Sequence, residues 1–257
     1  MGFPIIDRYM GERLGAELFG LPKVRVTVVE SPRRLRPEMS YGFVHALWWV
    51  WLNDGRSVIS VPPGLADAVR AGLHSVRSAE DMSNPDVARP LTSVVDTWRR
   101  QAGLVESDRL LHGLILACNR KTFRPYTLTE CQPIRSDSVR AAEGIHMPTH
   151  CLPDGSVFGV AADGKIVSVA YAHRIGDAEA QVADIGVETA EGYRRRGYAK
   201  AAVSAVVQAY LQRGGEALYG CASDNVASIA TARSVGFVSY ARSMVLCAQV
   251  HRNAESG

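Results

Sequence analysis

Apolar and polar residues alternate through Lys23–Glu30, and apolar residues fill Tyr41–Leu52 and Arg56–Val61 on either side of Asn53-Asp54-Gly55. These runs predict strands, the last two joined by a tight hairpin, because Asp-Gly tolerates the positive backbone angles such a turn needs. Met1–Gly20 differs: Ile5, Ile6, Tyr9, Met10, Leu14 and Leu18 lie among charged residues at helical spacing and predict an amphipathic helix. Ser31–Pro37 is a basic, proline-bounded loop, and Pro62-Pro63-Gly64 breaks the chain before a helix at Leu65–His74. Asp81–Leu104 and Ser107–Cys118 carry further helical patterns, and Arg120–Pro125 suits a linker.

Beyond it the pattern changes order. Strands are predicted at Tyr126–Glu130, Val157–Ala161 and Lys165–Arg174, the last two around an Asp163-Gly164 turn, with a helix at Ser136–Glu143. A strand at Ala180–Thr189 leads into Arg194-Arg195-Arg196-Gly197-Tyr198-Ala199, and the period of Ala202, Val203, Val206, Val207, Tyr210 and Leu211 makes the following residues, to Gln212, a helix. The arginine turn therefore opens a helix, where the first N–H groups lack intrahelical partners and the macrodipole is positive. Gly197 allows close approach of an anion, and arginines add forked donors. Next come a strand at Leu218–Ala222, a helix from Asn225 to Val235 stopped by Gly236, and a strand at Val238–Gln249.

Arg194, Gly197 and Ala199 occupy the three fixed positions of Arg/Gln-x-x-Gly-x-Gly/Ala, and Asn225, Ser228 and Gly236-Phe237 form a second segment in the order that accompanies it. Together they resemble the acyl-CoA signature of the GNAT superfamily of N-acetyltransferases. The resemblance implies an α+β fold, a mixed central sheet flanked by helices at 125–257, preceded by a smaller α+β domain of unassigned role at 1–124. Asn225 also reads as a plain helix cap, a role compatible with ligand binding.

The 257 residues, 47% hydrophobic and 21% charged, suit a globular protein with a substantial core. A formal charge of +3 with locally clustered arginines argues against nucleic acid, and no apolar run reaches the roughly 20 residues of a membrane span. Cys118, Cys131, Cys151, Cys221 and Cys247 are odd in number and scattered, which suits reduced thiols and a cytoplasmic setting. Pro148 breaks any helical ligand face within His146–Cys151, so no metal is expected. Trp48, Trp49 and Trp51 fit core or domain-interface packing better than a stacking surface.

The resemblance implies an enzyme that moves an acetyl group from acetyl-CoA to a primary amine of a small molecule by direct attack in a ternary complex. It assigns the pantetheine arm and thioester carbonyl to backbone groups at Val187 and Thr189, and the pyrophosphate to Arg194, Arg195, Arg196, Gly197, Tyr198, Ala199 and Lys200. Asn225 and Ser228 would steady the same ligand. Glu188 and Asp184, four residues apart on one strand face, are candidate general bases, with His173 a lesser one. The family's frequent tyrosine, seven residues after the asparagine, is Ala232 here; Tyr240 or Tyr198 would have to replace it as proton donor. That departure keeps a second reading open, a non-catalytic acyl-CoA sensor or interaction module. The oligomeric state is open, a homodimer being one option.

Overall fold

Alternation and turn chemistry place most of the elements, which the computed structural model describes for residues 2–23, 25–38, 43–135, 140–146, 151, 156–173 and 181–249. In chain order they are α1 (Pro4–Leu14), β1 (Val26–Glu30), β2 (Pro37–Glu38), β3 (Phe43–Leu52), β4 (Ser57–Val61), α2 (Ala66–Ala71), α3 (Pro85–Gln101) and β5 (Val105–Cys118). There follow β6 (Cys131–Pro133), β7 (Val157–Ala162), β8 (Lys165–His173), β9 (Val182–Thr189), α4 (Tyr198–Gln212), β10 (Glu216–Ala222), α5 (Val226–Val235) and β11 (Val238–Gln249). The class is α+β.

Two compact units interleave along the chain: Met1–Tyr9 with Ile115–Ser239, and Met10–Leu114 with Tyr240–Gly257. The sequence suggested instead one boundary between 124 and 125. Pairing explains the difference at both ends. The Ile6 N–H donates to Glu216 Oε2 at 3.0 Å, which ties the first turns of α1 to β10. From Ala241 onward β11 runs antiparallel to β3.

The second unit carries the strand order β1-β4-β3-β11, with β2 beside β3. Its hairpin turns at Gly55, φ +93°, as Asp54-Gly55 predicts. Trp49 is fully buried among Leu47, Ile59, Leu91 and Met244, its indole N–H donating to Ser57 Oγ at 2.8 Å; this is the packing role expected of the tryptophan cluster. Asn84 caps α3 by accepting the Asp86 N–H at 3.0 Å.

The first unit carries β10-β9-β8-β7-β6, in which β9 and β10 are parallel and the other pairs antiparallel. Helix α4 packs on β7, β8, β9 and β10, and α5 packs on α4 and β10. The apolar stripe of α4, including Val203, Val206, Val207 and Leu211, is buried as its period requires.

Three expected elements differ. Ser107–Cys118 lies within β5, not a helix: its apolar run suits either period, and pairing in a sheet decides it. Residues 126–128 are coil and 129–130 a turn, closed by the Cys131 N–H on the Leu128 carbonyl, before the short β6; the Tyr126 N–H goes to Ser204 Oγ of α4 at 2.9 Å and not to a strand. Of the helix expected at Ser136–Glu143, residues 136–139 lie outside the described residues. The rest forms a bridge from Ala141 to Ile166 and a turn, with Ala142 N–H on the Ile166 carbonyl. Met147–His150, and 174–180 at the start expected for the β9 strand, also lie outside the described residues.

Candidate active site

Helix α4 starts without a side-chain cap. Its N-cap is Gly197 in the left-handed region, φ +82°, and two residues earlier Arg195 is left-handed as well, φ +62°. A non-glycine residue held there is strained, and such outliers cluster at ligand sites. The first intrahelical bond shown at this end runs from the Ala201 N–H to the Gly197 carbonyl, so the N–H groups of Tyr198, Ala199 and Lys200 stand at the open positive end of the helix. Backbone of this kind forms anion-binding concavities.

Neighbouring aromatics hold the loop. Tyr126 lies against Gly197, and the Lys200 ammonium sits 4.2 Å above the Tyr126 ring. The Tyr193 hydroxyl donates to Asp163 Oδ2 at 2.7 Å, a bond that pushes the phenol's pKa upward. The Arg196 guanidinium stacks on the same ring at 5.2 Å while its Nη2 donates to the Gly192 carbonyl, and Arg194 Nε donates to the Thr189 carbonyl at 3.3 Å. Tyr126 and Asp163 carry no motif, and sequence reasoning gave neither a place in the site.

Upstream, β9 and β10 pair at three rungs, Val182 with Glu216, Ala183 with Ala217 and Asp184 with Leu218. Among the described residues no β10 residue pairs with β9 beyond Asp184, although β9 runs on to Thr189 and β10 to Ala222. The Ala190 N–H donates to the Val167 carbonyl, and the register sets Ser168 opposite Thr189, Ala170 opposite Val187 and Ala172 opposite Ile185. Antiparallel alternation then turns the N–H and C=O groups of Ile185, Val187 and Thr189 away from β8, toward the gap left by β10. The gap runs five residues of strand, roughly 17 Å, from Thr189 beside the arginine loop to Asp184, where the strands join.

The Ser168 and Thr189 hydroxyls meet at 2.8 Å on one sheet face. The opposite face carries Asp184, Gly186 and Glu188. The Tyr171 ring lies across Gly186, where a β-carbon would come within 2.5 Å of it, and makes an edge contact with His173 at 4.8 Å. His173 stands opposite Asp184 in register. Asp184 Oδ2 accepts the Tyr9 hydroxyl at 3.1 Å, and Glu188 Oε2 accepts the His146 N–H at 2.7 Å. Both candidate bases thus share one face, at opposite ends of the gap.

Asn225 caps α5, its Oδ1 accepting the Ser228 N–H at 3.0 Å. The Ser228 hydroxyl engages Tyr219, whose phenol burial pushes up. Ala232 is fully buried, without room for a tyrosine. Tyr240 is buried in the second unit, so the first unit, which holds the arginine loop and the gap, does not include it. Tyr198 opens α4 and packs with Val167, Ala190 and Tyr193. None of the five cysteines is in a disulfide; burial pushes Cys118 and Cys131 up to about 11 and raises Cys221, which makes these three poor nucleophiles near neutrality.

Residues 121–237 match the Acetyltransferase (GNAT) family, and that span contains the arginine loop, the gap and the Asn225 cap. Residues 121–237 form a GNAT acetyltransferase domain. No curated protein matches the sequence. Solved structures similar to it include an acetyltransferase of the GNAT family from Colwellia psychrerythraea, 17% identical with a TM-score of 0.45 over 60% of this chain and 62% of that one. A GNAT-family protein from Novosphingobium aromaticivorans is 18% identical with a TM-score of 0.44, over 56% and 67% of the two chains. A tandem GNAT protein from the clavulanic acid biosynthesis pathway is 10% identical with a TM-score of 0.40, over 68% and 73%. The chain thus spans about 62% of the length of the Colwellia protein. Among the described residues no helix of the chain is long and apolar enough to cross a membrane.

Proposed function

We propose that the protein is an acetyl-CoA-dependent N-acetyltransferase acting on the primary amine of a small molecule. One observation carries this reading: within the family-matched span, a left-handed, arginine-rich helix start adjoins a strand gap lined by outward-turned backbone groups. A polar, extended arm ending in a diphosphate suits that shape, since the gap offers backbone donors and acceptors at two-residue intervals and the helix start offers positive charge.

Acetyl-CoA would supply the acyl group as a thioester. The N–H groups from Arg195 to Lys200, with the arginines around them, hold its pyrophosphate, and Asn225 and Ser228 steady it from α5. Backbone groups of Val187 and Thr189 hold the pantetheine arm, and an N–H facing the gap polarises the thioester carbonyl. Asp184, where the gap closes, takes a proton from the substrate ammonium so that a neutral amine attacks. Glu188, beside the arginine loop, lies further from that point. The cysteines have no part in this direct transfer. Reduced thiols fit a cytoplasmic setting.

Calorimetric titration of acetyl-CoA, followed by thiol release against a library of small primary amines, tests the reading. Binding with acceptor-dependent thiol release supports it. Binding without release from any amine would favour the sensor reading, to which the buried Ala232 at the usual tyrosine position points. Absence of binding would overturn both.

A further inference from the structure

We infer that Tyr9 is a positioning residue for acyl transfer, holding the Asp184 carboxylate through its hydroxyl, so that α1, outside the family-matched span, is a working part of the site. This rests on the proposed reading in which Asp184 accepts the ammonium proton.

The hydrogen bond joins residues 175 apart in sequence, and Tyr9 is only 2% exposed. Its landing point is specific. The Ile6 N–H bonds Glu216, on the rung Glu216–Val182, and Tyr9 bonds Asp184, on the rung Leu218–Asp184, the last before the strands part. Three helical residues rise about 4.5 Å and two strand residues advance about 6.6 Å, so two donors within one turn of α1 reach rungs two residues apart on β9 and β10. Glu216 already anchors the start of α1. The Tyr9 hydroxyl instead reaches the carboxylate at the closed end of the gap, where a base must hold its angle toward the attacking amine. His173 stands opposite Asp184 in register on β8 and makes an edge contact with Tyr171. A carboxylate fixed by a phenol donor keeps one orientation, and a misplacement of about 1 Å in such a group costs on the order of 100-fold in rate.

The test compares Tyr9→Phe, Asp184→Asn and the double variant in the full chain. Acetyl-CoA binding is read by calorimetry, and thiol release with the fastest amine of the library, or with water where no amine exceeds it. Tyr9→Phe keeps the buried ring and is expected to lower kcat about 10- to 100-fold, with the KM and Kd for acetyl-CoA unchanged and the thermal midpoint within about 2 °C of the parent. In the Asp184→Asn background the same change is expected to add less than about twofold, since the carboxylate it positions is gone. An unchanged kcat, or a loss that multiplies fully with that of Asp184→Asn, overturns the inference. So does a kcat loss that only tracks a fall in thermal midpoint. Failure of the parent protein to bind acetyl-CoA overturns the functional reading and the inference with it, whereas binding with an indifferent Tyr9→Phe overturns the inference alone.

Discussion

The Tyr126 hydroxyl occupies the space in which a β-carbon on Gly197 would sit, 2.7 Å from it. Gly197 therefore meets two separate demands, a left-handed backbone and contact with a phenol. Gly197→Ala is expected to cost about 1–2 kcal/mol for the left-handed angle alone, roughly 2–8 °C in thermal midpoint for a chain of this size. The steric part should be recovered by Tyr126→Phe in the same chain, because the next ring atom lies 3.4 Å away. A double variant no more stable than Gly197→Ala would show that the phenol does not crowd this position. Gly197→Glu adds a carboxylate at the helix start and is expected to abolish acetyl-CoA binding while the chain stays folded, with circular dichroism and calorimetry as the two readouts.

Arg195, left-handed without being glycine, sets stability against binding. Arg195→Gly removes strain of about 1 kcal/mol or more and is expected to raise the thermal midpoint or leave it level, while the Kd for acetyl-CoA rises at least fivefold with the lost cation. The salt dependence of binding should become shallower in the variant. A variant that binds as tightly as the parent would remove Arg195 from the site.

The arginine loop was legible because it is local: spacing, glycine and the helical period lie within about twenty residues, and each has a physical meaning without tertiary context. The facing of Asp184 and Glu188 was legible for the same reason, since strand alternation fixes it. Tyr9 and Tyr126 were not, because their roles come from contacts 175 and 71 residues away, with Asp184 and Gly197. Ser107–Cys118 misled because Leu110, Leu111, Leu114, Ile115 and Leu116 satisfy a strand as well as a helix, and only sheet pairing separates them. The unit boundaries were hidden likewise: nothing in Val238–Gln249 says that it pairs with β3.

Asn225 has a structural role and a proposed binding role, and two substitutions separate them. Asn225→Ala removes the acceptor for the Ser228 N–H and is expected to destabilise the protein by roughly 0.5–2 kcal/mol. Asn225→Asp keeps that acceptor and adds charge favourable to a helix start, so the thermal midpoint should hold or rise. Its negative charge beside an anionic ligand should raise the Kd for acetyl-CoA severalfold. Equal affinity for the Asp variant and the parent would confine Asn225 to capping.

Glu216 gives the fold a pH dependence of definite sign. Burial raises its pKa, against the opposing bonds from the Ile6 and Ile5 N–H groups, and Asp7 raises it further. Its folded pKa lies above the unfolded one, so across the window between them the folded chain binds more protons. The stability contributed by the neutral acid is complete below the unfolded pKa and is lost as pH rises through the folded value. Glu216→Gln keeps an acceptor for the Ile6 N–H and cannot ionise. Relative to the parent it should be more stable at pH 7 than at pH 4, as read by thermal midpoints across that range. A difference that grows toward low pH would mean that the ionised carboxylate, held by the start of α1, is the favoured form in the fold.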